Sequence, residues 1–113
     1  MLQTFYLPYG LSLDFVADLL GNGRIIEIKL KNISINPLKF IGVHYESGGP
    51  DTDIPSIIEK GKEAKFQISK KFGFYGVESV FVYQYGETGM YLLIYTECPY
   101  NGRNKINIKL GRY

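Results

Sequence analysis

The sequence predicts a mainly β protein, an antiparallel sandwich of about seven short strands with a short amphipathic helix at its N-terminus. Three observations predict it. From Arg24 onward, apolar residues recur at every second position, in short runs separated by Gly, Pro and Asn. The runs follow one another at a spacing of roughly 8 to 12 residues. The aromatic content, ten Tyr and seven Phe with no Trp, favours pleated, half-buried surfaces and also suits a wet binding face. At 113 residues the chain is one domain, read as an N-terminal arm over 1–23 and a sandwich over 24–113.

In the arm, Ser12 is placed to cap a helix, and Leu13, Val16, Ala17 and Leu20 fall at i, i+3, i+4 and i+7 before Gly21. Asp14 and Asp18 share the other side, which makes the helix apolar on one face and acidic on the other. The first strand follows, with Ile26, Ile28 and Leu30 alternating with Glu27, Lys29 and Lys31. Asn36-Pro37 turns the chain into a second strand over Leu38 to Tyr45. Ser56 to Glu59 and Ala64 to Ser69 flank "KGK" and have the pattern of a hairpin. Glu78 to Tyr85 and Met90 to Thr96 form another around "GETG". Val80, Val82, Leu92 and Ile94 are expected on one face of that hairpin and Phe81, Tyr83, Leu93 and Tyr95 on the other, placing it mid-structure. Lys105 to Leu110 is the last strand, with Ile106, Ile108 and Leu110 inward.

Composition narrows the function. A net charge of +2 is small for a nucleic-acid binder, and Lys60, Lys62, Lys65, Lys70 and Lys71 fit a solvated strand face. One cysteine and one histidine leave no internal disulfide, no cysteine-built zinc site and little for a catalytic triad. The acidic loop from Glu46 to Asp53 lacks the spacing of a calcium hand, so neither metal nor cofactor is expected. No phosphate-cradling glycine loop or nucleophile elbow accompanies His44 or Cys98, and a binding protein is expected rather than an enzyme. Met1 to Gly10 has no Lys or Arg ahead of an apolar run and does not resemble a secretory signal.

Five stretches, in order, resemble the actinoporins, pore-forming cytolysins of sea anemones and their relatives. "LSLDF" opens the arm and Leu20-Gly21-Asn22 closes it, and Asn32 ends the first strand. "VHYESGG" is similar to the family's aromatic-x-Ser-Gly loop, "IPSIIEKGKEAKF" to its Pro-x-x-Ile-x-x-Gly-Lys stretch, and "GVESVFVYQYGETGMYLLIYTECPYN" to the segment that ends at its Pro-Tyr corner. The aegerolysins, small membrane-binding sandwiches, share part of the pattern. The resemblance implies a released protein that recognises phosphocholine, usually on sphingomyelin, at a target cell membrane. It also implies assembly with further copies of the chain and insertion of the helix Leu13, Asp14, Val16, Ala17, Asp18 and Leu20.

By the same resemblance the head-group site falls on Ser47, Val80, Pro99 and Tyr100, with Arg24 as a basic phosphate contact. Glu97 stands where the family carries a serine, and a carboxylate there repels a phosphate. A helix over 12–20 would be about 14 Å long, too short for a hydrocarbon core of ~30 Å but able to lie in its interface. The alternative is a non-lytic interaction protein, lectin-like or self-assembling, whose N-terminal arm makes the contacts between copies.

Overall fold

A computed structural model describes residues 2–18, 25–69, 76–99 and 104–112. They form two antiparallel five-stranded sheets. The strands in chain order are β1 (Leu2–Tyr6), β2 (Leu11–Asp18), β3 (Ile25–Asn32), β4 (Leu38–Ser47), β5 (Gly49–Pro50), β6 (Ile57–Ile58), β7 (Lys62–Ser69), β8 (Val77–Tyr85), β9 (Met90–Cys98) and β10 (Lys105–Arg112). The first sheet has the order β1-β2-β3-β7-β5 and the second β10-β9-β8-β4-β6. The mainly β expectation holds, with ten strands among the described residues instead of about seven.

Among the described residues, the expected N-terminal helix is not seen. Residues 11–18 are strand β2, paired on one side with β1 and on the other with β3. Leu11, Leu13 and Phe15 are buried, so this segment obeys the period of two that it shares with the helical spacing of Leu13, Val16 and Ala17. Leu13 lies opposite Leu30 and Phe15 opposite Ile28, so pairing buries the apolar side of the segment in the core, which an isolated short helix would not do. Asp14 is on the outer face, where its carboxylate accepts a hydrogen bond from Thr4 at 2.8 Å. Val16, Ala17 and Asp18 pair with Glu27, Ile26 and Ile25, and Leu20 lies outside the described residues. The one helical turn among the described residues is a 3-10 turn at Pro8–Gly10.

Two further expectations change. Ile57 and Ile58 do not pair with β7; they lie against Lys39 and Leu38 in the second sheet, while β7 pairs with β3 in the first. The hairpin of β8 and β9 stands, but its four-residue turn sets Tyr85 opposite Met90, so that Phe81 faces Ile94 and Val82 faces Leu93. Phe81, Tyr83, Tyr85, Leu92 and Ile94 therefore share the inner face, and Val80, Val82, Leu93 and Tyr95 the outer one.

Alternation then builds the core. Ile26, Ile28 and Leu30 of β3 and Ala64, Phe66 and Ile68 of β7 meet the inner face of β8 and β9. The Phe66 and Phe81 rings cross the gap between sheets with centroids 5.1 Å apart. Each such side chain contributes about 1.5–3 kcal/mol on burial. The outer face of the first sheet is charged, with Lys29 beside Glu63 at 3.6 Å and Lys65 beside Glu27 at 3.5 Å.

Two devices join the sheets. At one end the chain passes directly from β4 to β5 through Gly48, whose φ of +86° is left-handed and whose Cβ would sit 2.7 Å from the Ser69 carbonyl oxygen. At the other end the buried Asn32 donates to the carbonyls of Asn36 and Ile58, and its Oδ1 accepts from the Ser34 amide and hydroxyl. Its own carbonyl accepts from Gly61.

Candidate functional site

The outer face of the second sheet holds two of the predicted head-group residues, Ser47 and Val80. Register places Ser47 opposite Glu78, Glu78 opposite Glu97 and Glu97 opposite Lys105, one row across β4, β8, β9 and β10. The adjacent row is His44, Val80, Tyr95 and Asn107. A bulge between Tyr45 and Ser47 lets Glu46 project beside His44, and the two side chains meet at 2.9 Å. Beneath these rows, Ser79 and Thr96 are buried and hydrogen-bonded to each other at 2.9 Å, so no polar atom of that pair is left without a partner in the core.

The centre of the face is Tyr95. Its hydroxyl reaches Glu97 at 2.5 Å and Glu78 at 2.9 Å. One phenolic proton serves two carboxylates that stand directly opposite each other, an arrangement of like charges that is unfavourable on its own. The Tyr95 hydroxyl is held well above the usual tyrosine range, first by its bond to Glu97, then by partial burial and by Glu78. The two carboxylates share this one phenolic donor, the exposed Lys105 lies opposite Glu97 at the end of the row, and beside them Val80 and Leu93 form a half-buried apolar floor. The carboxylates and the apolar floor together suit a cation that also carries hydrocarbon.

Of the residues assigned by the resemblance, Ser47 and Val80 lie on this sheet in adjacent rows, and Pro99, half-buried, follows Cys98 at the same end. Leu13 and Asp14 do not join them; they belong to the first sheet. Tyr100 and Arg24 lie outside the described residues. Tyr95 and Glu78 were missed as site residues, because they become neighbours only through cross-strand register.

A second surface was not anticipated. At the Asn32 end, Tyr6, Ile35, Ile33 and Tyr9 are 86%, 85%, 62% and 59% exposed. A cavity of about 450 Å³ opens between the turn carrying Tyr9 and the turns at Ile33–Asn36 and Thr88. Its sequence signal is the placement of two isoleucines in the turn-forming stretch "NISINP", where polar residues are the norm. No protein-family model and no curated protein matches the chain. Among the described residues no helix is long and apolar enough to cross a membrane.

Proposed function

We propose that the protein is a non-catalytic, membrane-binding β-sandwich that holds the quaternary ammonium of phosphocholine lipids on the outer face of its second sheet. The observation that carries this is the single Tyr95 hydroxyl shared by Glu78 and Glu97 beside Val80. A trimethylammonium group is large and weakly hydrated; its methyls fit Val80 and the Tyr95 ring, and its charge offsets the two carboxylates. Ser47, in the row of Glu78, is within the same patch. The phosphate is then directed away from Glu97, towards solvent. The resemblance to actinoporins supports choline as the head group, and the carboxylates favour its ammonium half over its phosphate half.

The insertion step implied by that resemblance is not carried over, since residues 11–18 are a core strand. Co-sedimentation with vesicles tests the proposal. Binding is expected to sphingomyelin or phosphatidylcholine vesicles, to be competed by choline chloride, and to fall at least tenfold when Glu78→Gln and Glu97→Gln are combined. Equal binding to phosphatidylglycerol vesicles, or full binding by the double variant, would sink it.

One observation favours a second reading, self-assembly through the arm. Residues 2–6 form an edge strand of the first sheet, with Tyr6 highly exposed at its end. Unpaired edges template association. A lipid-free oligomer by light scattering, dispersed by Tyr6→Lys, would support assembly; a monomer at all concentrations would exclude it.

A further inference from the structure

Tyr9 has a left-handed backbone, φ +66°, in a described chain where every other positive φ belongs to glycine. That conformation costs a non-glycine residue on the order of 1 kcal/mol. The turn around it is fixed from both sides. The Leu7 amide donates to the Leu11 carbonyl at 2.8 Å, the Ile33 amide donates to the Gly10 carbonyl at 3.2 Å, and a Cβ on Gly10 would meet the Ile33 carbonyl oxygen at 3.1 Å. The product of this geometry is an aromatic ring laid at the edge of the molecule, stacked on Tyr85 with centroids 5.7 Å apart and planes at 18°. Glycine would make the same turn without strain, so the turn alone does not account for a tyrosine.

The ring forms one wall of the cavity described above. Ile33, Ile35, Tyr85 and Met90 make the rest of its apolar lining. Its volume, about 450 Å³, lies in the range of small-molecule sites, about 300–1,000 Å³. Two of the hydroxyls that border it, those of Thr88 and Ser34, are engaged elsewhere. Thr88 donates to the Tyr85 carbonyl at 2.6 Å and accepts from the Met90 amide at 3.1 Å. The Ser34 hydroxyl lies against Asn32 Oδ1 and the Asn36 carbonyl. A sugar or other polyol placed here would give up hydrogen bonds to water and would have to compete with these internal bonds for Thr88 and Ser34. Hydrocarbon loses nothing, and the thioether of Met90 adapts to its shape.

We propose that this cavity is a binding site for the hydrocarbon chain of a small single-chain amphiphile, and that Tyr9 is retained in its strained conformation to wall it. The site is independent of the choline face: it lies at the Asn32 end of the sandwich, whereas Ser47 and Glu78 lie at the Gly48 end.

Calorimetric titration with octan-1-ol, below its solubility limit, tests the proposal on the full chain. Saturable binding with a negative heat-capacity change is expected. Ile35→Asp, at a highly exposed position, should weaken it at least tenfold without moving the thermal midpoint. Tyr9→Gly should weaken it as much while leaving the midpoint equal or higher, because glycine accepts the left-handed turn. Absence of saturable heat would overturn the proposal, as would full affinity in either variant. Choline chloride titrated into the same samples reports on the other face, so failure of one proposal is readable apart from failure of the other.

Discussion

Asn32 Nδ2 donates to the carbonyl of Ile58 at 3.0 Å, a hydrogen bond from the last residue of β3 in the first sheet to β6 in the second. A second bond, to the Asn36 carbonyl at 2.8 Å, uses the other amide proton. Asn32→Ala removes both donors and the acceptor of Ser34, and takes from the buried Ile58 carbonyl its side-chain donor. A loss of about 2–4 kcal/mol is expected, read as a lower midpoint in equilibrium urea unfolding. Asn32→Asp should be at least as harmful, since it replaces the donors with a buried charge facing carbonyl oxygens.

Phe15 is fully buried in β2. Phe15→Ala should cost about 3–5 kcal/mol, and removal of residues 1–18 should abolish cooperative unfolding. A detachable amphipathic helix would give the opposite result, a truncated chain that melts like the parent. Circular dichroism of the two variants decides between them.

Gly48→Ala meets two obstacles at once, a left-handed φ and a contact of 2.7 Å with backbone, which cannot swing aside as a side chain would. The expected loss is at least about 2 kcal/mol by thermal or urea unfolding. Gly61→Ala is the control: it has a similar φ, but nothing lies within 4 Å of the added carbon, so the cost should be limited to backbone strain.

Among the described residues, three tyrosines are held above the usual tyrosine range. Burial raises Tyr45 and Tyr83, whose hydroxyls are buried and make no hydrogen bond to a described residue, and the contact with Glu97 raises Tyr95. In each the neutral form is favoured by folding. The resulting stabilisation is complete below the unfolded value near 10 and is lost as pH rises above it towards the folded value. Thermal midpoints should therefore fall from about pH 10 upward, with a late phase in phenolate absorbance that coincides with unfolding. Tyr95→Phe should make the fall shallower.

Much of the chain after Arg24 was legible, because strands such as β3 and β7 alternate without ambiguity. The N-terminal segment was not. "LSLDFVADLL" carries apolar residues at spacings that satisfy both 2.0 and 3.6, and what decides between them is pairing with Lys29 and Thr4, partners that local periodicity does not contain. The hairpin faces failed by one residue. A four-residue turn sets the sum of paired positions, and a shift of one exchanges inner and outer faces for Val80 and Phe81 alike. For the site, Ser47 and Val80 were assigned only through the resemblance, whereas the meeting of Tyr95 with Glu78 depends on register between β8 and β9.

Gly48 and Asn32 sit at opposite ends of β3 and its neighbour β7, since Gly49 pairs with Ser69 and Asn32 with Lys62. Seven residues of strand separate the two levels, about 23 Å. A body fastened at two distant points can neither slide nor pivot. The two sheets are thus locked in translation and in angle, so that a load applied to one outer surface is carried by the whole molecule rather than taken up as shear between its halves.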